Sequence, residues 1–276
     1  MHFTKYNGLG NDFIFLDGHA ALSVQDPAVL ARKWCDRHTG IGADGLVLLL
    51  PSTEADIRMR IINSDGSEAE MCGNASRCVP LHLLKNGVTK KKHITLETLA
   101  GMIETDVLDE HRGLVRVNMG TPRWTKGALF MQGKAEESAL QMSVQIGTTK
   151  IMGSGISMGN PHFVVEVNNA ETVPVAELGP KLETCPVFTQ KTNVEFVQVL
   201  DKNTVRMRVW ERGAGITQAC GTGACATAAA CILNGLTDKT VTVQLDGGNL
   251  TLEWPNQEAI FMTGPAQKVF EGEIAL

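Results

Sequence analysis

Apolar positions recur along this chain in short runs, each about the length of one strand. "DFIFLDG" at 12–18 and "HFVVEV" at 162–167 are apolar or alternating, and "LVLLL" at 46–50 is apolar throughout. Such runs predict strands. "DIRMRII" at 56–62 and "VRMRVW" at 205–210 alternate charged and apolar residues, which predicts strands with one wet face. "HITLETLAG" and "TVTVQLDGG" read as strands closed by glycine turns. Helical stretches are fewer. "ARKWCDRH" at 31–38 is one, and a second and third follow "MCGNASRC" at 71–78 and "ACGTGACA" at 219–226. Each of the latter two ends in Asn-Gly, a C-terminal stop. "ACATAAACIL" is small or apolar on every side, so that helix is expected to be buried all round. Pro80 falls within the first of the pair, which predicts either a kink or a later helix start.

The order of these pieces repeats. Met59 and Met207, Cys72 and Cys220, Gly73 and Gly221, Asn86 and Asn234, and Gly87 and Gly235 all stand 148 residues apart. Gly45 falls opposite Asn193 at the same offset, and "GNDFIFLD" echoes "GNPHFVVEV" at 149. An internal duplication follows, with copies at roughly 1–120 and 149–265. The expected fold is α/β (α+β): two pseudo-symmetric lobes, each a curled, barrel-like sheet around a buried central helix, with the active site between them. The lobes are expected at 1–120 and 121–265, and the strand-like "AQKVFEGEIAL" at 266–276 is expected to return to the first.

Composition narrows the function. A chain of 276 residues with 43% apolar and 20% charged residues can bury a substantial core. Net charge is −5 and the basic residues are scattered, with one short run, Lys90-Lys91-Lys92, so a nucleic-acid partner is not expected. No apolar stretch is long enough to span a bilayer, and no basic segment followed by an apolar one opens the chain. Seven cysteines without an export signal favour the cytoplasm and reduced thiols.

Cys78, Cys225 and Cys231 lie on helix bodies and read as small buried hydrophobes, as do Cys35 and Cys185. Cys72 and Cys220 differ, because each immediately precedes a glycine at a helix start. Unpaired N–H groups and the helix dipole there favour a thiolate. The spacings C-x5-C and C-x4-C are not zinc knuckles, and no C-x-x-C redox pair occurs. "GIGADG" at 40–45 follows a helix and leads into a strand, the reverse of a dinucleotide fingerprint. No metal and no cofactor are expected. If the halves face each other about a pseudo-twofold axis, the two thiols meet on opposite sides of one carbon. A thiolate then takes a proton from one face while a thiol delivers one to the other. The N–H groups at Cys-Gly-Asn and Cys-Gly-Thr would hold the enolate-like carboxylate.

"GLGNDF", "GIGADG", "NSDGSEAEMCGNASRC", "SMGNPH", "ERGAGITQACGTGACA" and "MTGPA" together resemble the diaminopimelate epimerase family from end to end of the chain. The resemblance implies cofactor-independent interconversion of LL- and meso-diaminopimelate, in lysine and peptidoglycan-precursor synthesis. It implies Cys72 and Cys220 as the acid/base pair, and Gly73-Asn74 and Gly221-Thr222 as carboxylate-binding turns. Asn11, Asn63, Asn160, Asn193, Glu211 and Arg212 take the substrate-binding places. Arg212 suits a carboxylate and Glu211 an ammonium. His162 is placed to polarise a thiol or, equally, to sit hydrogen-bonded in the core. The expected partner is a small amino-acid substrate, and a homodimer is compatible with the sequence. The rivals are a racemase of another amino acid on the same scaffold, free of pyridoxal phosphate, and a thiol-based redox or binding protein.

Overall fold

The computed structural model describes residues 1–274, so Ala275 and Leu276, the end of the last strand-like run, lie outside the described residues. In chain order the elements are β1 (His2–Gly8), β2 (Asn11–Leu16), α1 (Gly18–Leu22), α2 (Pro27–Trp34), β3 (Gly45–Leu50), β4 (Ile57–Asn63), β5 (Glu68–Ala69), α3 (Gly73–Lys85), β6 (His93–Thr98), β7 (Gly101–Asp109) and β8 (Leu114–Asn118). Then come β9 (Met142–Ile146), β10 (Thr149–Ser157), β11 (Pro161–Glu166), α4 (Val175–Glu183), β12 (Asn193–Asp201), β13 (Thr204–Glu211), β14 (Gly215–Ile216), α5 (Gly221–Leu233), β15 (Thr240–Leu245), β16 (Gly248–Glu253), β17 (Phe261–Pro265) and β18 (Gln267–Glu273). The architecture is mixed α/β, with many curled strands and few helices. None of the described helices is long and apolar enough to cross a membrane.

The chain divides into two compact units. One is residues 1–118 with the C-terminal segment from Thr263, and the other is Met119–Met262. In the first, β1 pairs antiparallel with both β2 and β18. β2 runs parallel to β3, β3 antiparallel to β4, β4 parallel to β6 and β6 antiparallel to β7. In the second unit β10, β11, β12, β13, β15 and β16 pair in the same succession of antiparallel, parallel, antiparallel, parallel and antiparallel. The parallel pairs β2–β3 and β11–β12 need crossovers, supplied by α2 and α4. Asp26 caps α2 by accepting the Val29 N–H at 3.0 Å, with Pro27 at the first helical position.

The predicted alternation in β4 and β13 is present. Met59, Ile61, Val205, Met207 and Val209 are buried, while Arg58 is exposed and Arg60, Arg206 and Arg208 are half-buried. Each unit's strands enclose one helix. α3 packs against β1, β7, β8 and β18, and α5 against β10 to β13, β15 and β16. Side chains of one to three heavy atoms let strands close on α5, and its residues from Gly223 to Cys231 are all buried. α3 is enclosed as completely, yet it carries Asn74, Ser76, Arg77 and His82 inside. It begins at Gly73 and continues through Pro80 to Lys85, so the later start does not occur. Both helices stop as expected, at Asn86-Gly87 and Asn234-Gly235, with the glycines at φ of 69° and 71°.

Ala228, fully buried in α5, leaves no room for a longer side chain. Ala228→Leu is expected to cost about 1–3 kcal/mol by overpacking. Urea unfolding should show a lower midpoint at unchanged slope, and an unchanged midpoint would contradict the tight enclosure of α5.

Candidate active site

Each cysteine singled out by the sequence is the residue immediately before a buried helix. Cys72 and Cys220 have nearly the same extended backbone, φ/ψ of −140°/113° and −124°/110°. The Cys72 carbonyl accepts from Ser76 N–H and the Cys220 carbonyl from Ala224 N–H, both at 2.9 Å. The first-turn N–H groups that follow have no carbonyl within the helix to bind, and they point out of its positive end.

In the first unit, Asn11 begins β2 directly after Gly10, whose φ of 87° makes the turn from β1. Its Nδ2 donates to Asp44 Oδ2 at 2.7 Å, which turns Oδ1 towards Cys72 Sγ at 3.7 Å and Asn74 Nδ2 at 3.3 Å. Asn74 is fixed in turn by buried Arg77, whose Nη2 donates to Asn74 Oδ1 at 3.0 Å and Nη1 to the Gly73 carbonyl at 3.3 Å. Asp44 also accepts from Asp12 N–H and pairs with Arg37 at 2.8 Å. Burial alone would raise the Asp12 carboxyl, but hydrogen bonds from Arg37 and Lys5 hold it below its ordinary range. The turn "GIGADG" thus does more than reverse the chain, since Asp44 within it orients Asn11. Asn63, at the end of β4, donates from Nδ2 to Ser67 Oγ at 2.9 Å within its own hairpin.

In the second unit Asn160 again follows a left-handed glycine, Gly159, with φ of 96°. Its Nδ2 donates to Thr222 Oγ1 at 3.4 Å, and Thr222 Oγ1 lies 3.6 Å from Cys220 Sγ. Asn160 Oδ1 meets His162 Nε2 at 3.0 Å, and His162 Nδ1 meets Glu195 Oε1 at 2.7 Å. His162 is therefore a hydrogen-bonded core histidine that is also joined to Cys220 through two side chains. Glu211 accepts from the Thr217 hydroxyl, and its charge bears on Cys220. Asn193 is buried and spans two strands, donating to the Pro161 carbonyl at 2.8 Å and accepting Arg212 N–H at 2.9 Å. Arg212 is exposed, with Nη1 on the Gln190 carbonyl at 3.0 Å and the rest of its fork open to a carboxylate.

Cys220 does not sit as its helix start alone predicts. The N-terminus, Gly223 N–H at 3.4 Å and Thr222 all favour a thiolate. Burial, Glu211 and Glu195 oppose it, and the Cys220 thiol is pushed well above its ordinary value. A helix terminus contributes about 0.3–1 kcal/mol, whereas burying a charge costs several kcal/mol, so burial wins and Cys220 rests as the thiol. Burial also raises Glu211. Away from the helix starts, burial pushes the Cys35, Cys78 and Cys231 thiols up to about 12, as suits inert core residues. The sequence reading missed Asp44, Arg77 and Glu195, whose roles depend on partners such as Asn11 and His162, each 33 residues away, or on a buried helix face.

Because an adjacent anion disfavours a second one, removing the Glu211 charge should let Cys220 ionise at lower pH. Alkylation of the Cys220 peptide by iodoacetamide, followed by mass spectrometry across pH, should move to lower pH in Glu211→Gln. A superimposable profile would remove Glu211 from control of this thiol.

The diaminopimelate epimerase family model matches residues 3–125 and 155–269, which include both helix starts. Diaminopimelate epimerase of Pelotomaculum thermopropionicum is 51% identical over 99% of this chain and 98% of its own. That of Heliobacterium modesticaldum is 49% identical over the whole of both chains. Among solved structures, a PhzF-family phenazine biosynthesis protein of Bacillus anthracis shares the fold at TM-score 0.71 and 18% identity, covering 100% of this chain and 99% of the other. A probable proline racemase of Agrobacterium radiobacter does so at TM-score 0.71 and 18% identity, covering 100% and 93%. The full-length match, taken with two cysteines that each open an enclosed helix, shows that this chain belongs to the diaminopimelate epimerase family.

Proposed function

We propose that the chain interconverts LL- and meso-diaminopimelate with Cys72 and Cys220 as its two acid/base groups and no cofactor. The observation that carries this reading is the equivalence of the two cysteines. Each precedes the central helix of its unit, in the same backbone conformation and at the same place in a repeated strand order. The lobes expected at 1–120 and 121–265, with the C-terminal strand joined to the first, are read as two copies of one ancestral unit.

In the forward step Cys72 acts as the thiolate and takes the α-proton, with Cys220 as the thiol. The electron pair of the broken C–H bond passes into the substrate α-carboxylate, held by N–H groups at Gly73-Asn74 and Gly221-Thr222. Cys220 then gives its proton to the opposite face, and the configuration inverts. The protein is left with Cys72 as thiol and Cys220 as thiolate, the state needed for the reverse direction. The Thr222 hydroxyl and Gly223 N–H, already on Cys220 Sγ, receive that thiolate. Asn11, Asn63, Asn160 and Asn193 serve the amino-acid ends of the substrate. Glu211 and Arg212 supply the acidic and basic partners that a substrate with two such ends requires.

Two outcomes test this. Incubation with LL-diaminopimelate in D2O should yield meso product carrying α-deuterium, and an absence of exchange from fully reduced protein would remove diaminopimelate as substrate. Cys72→Ser and Cys220→Ser should each lower turnover by about 100-fold or more with an unchanged circular dichroism spectrum. Near-normal turnover in either would sink the two-thiol scheme.

A further inference from the structure

Glu195 exchanges no proton with the substrate in the proposed scheme, yet it is fully buried on β12, a charged residue among Val194, Phe196 and Val197. Removing a carboxylate from water costs several kcal/mol unless something offsets it. One oxygen, Oε1, meets His162 Nδ1 at 2.7 Å, and the other, Oε2, has no hydrogen-bond partner. Room for the carboxylate exists because residue 223 is glycine. A Cβ there would lie 2.7 Å from Glu195 Oε1 and 3.2 Å from Cys220 Sγ.

The partners of the ring decide where the protons lie. Both nitrogens of His162 face oxygens, Glu195 Oε1 and Asn160 Oδ1. A proton between Nδ1 and Oε1 and a second on Nε2 would satisfy both contacts. Nε2–H donating to Asn160 Oδ1 sets the direction of every later link. The amide presents Nδ2 to Thr222 Oγ1, and the hydroxyl, accepting there, is left to donate towards Cys220 Sγ. Without the carboxylate at 195 nothing fixes which ring nitrogen donates, and the amide can turn either way.

We infer that Glu195 is a positioning residue: paired with His162, it fixes the polarity of a relay through Asn160 and Thr222 that ends in a donor on Cys220. The inference rests on Cys220 being an acid/base group, as proposed above. It assigns Glu195 work that begins when Cys220 has lost its proton, so it bears on turnover rather than on substrate binding.

The test has two readouts on the full chain. In substrate-free, 15N-histidine-labelled protein, the His162 ring, assigned by its loss in His162→Asn, should carry protons at both nitrogens. In Glu195→Gln one ring nitrogen should lose its proton. Turnover of LL-diaminopimelate should fall roughly tenfold to a hundredfold, with KM within about twofold. A bare ring nitrogen in the wild-type protein overturns the inference even where the variant fails to fold. A Glu195→Gln enzyme with unchanged ring protonation, or with unchanged kcat, overturns it as well. The ring signal needs no substrate, so a wild-type protein with the doubly protonated ring but no epimerisation would condemn the proposed function and not this pairing.

Discussion

A helix enclosed on all sides by strands can meet anything outside it only through its ends. That constraint governs both units of this chain. The backbone of α3 and α5 is sealed laterally, and the positive N-terminal end of each is the one part of the element left for chemistry. A side chain at that end is held by the rigidity of the whole strand layer. Cys72 and Cys220 inherit this fixity, and the polar residues around them are arranged from strand ends and turns that the same enclosure brings into place. Asn11 and Asn160, each following a left-handed glycine, are the clearest case.

The two surroundings are not equal, although the scaffolds repeat. Around Cys72 the partner is an amide, Asn11, which Asn74 and Asp44 hold in place, Asp44 itself paired with Arg37. Around Cys220 burial acts first, and two carboxylates, Glu211 and Glu195, add to it in keeping the thiol protonated. A symmetric frame with unlike electrostatics suits a reaction whose two half-steps need one base and one acid at the outset. Asn63 and Glu211, which occupy matching places in the repeat, show the same divergence.

Much of this was legible in the sequence because its causes are local. The alternation in β4 and β13, the Asn-Gly stops and the small residues of α5 act through neighbours along the chain. The equal spacing of Cys72 and Cys220 exposed the duplication. What escaped is nonlocal. Arg77 reads as a surface residue until Pro265 supplies a carbonyl to its Nε and Asn74 an oxygen to its Nη2. Glu195 reads as the polar member of an alternating strand, although β12 is covered on both faces at that point. The helix start alone predicts a Cys220 thiolate, and the burial that reverses this, with Glu211 and Glu195 adding to it, comes from other strands. Pro80 predicts a kink or a later start for α3, yet enclosure by strands carries the helix from Gly73 through it to Lys85.

Gly223 and Glu195 occupy one volume between them, on different elements and 28 positions apart. A methyl group at 223 must displace the carboxylate, and a smaller residue at 195 leaves a void beneath the helix mouth. The two positions are therefore coupled, and a side chain at 223 is expected to be tolerated best where residue 195 is smaller.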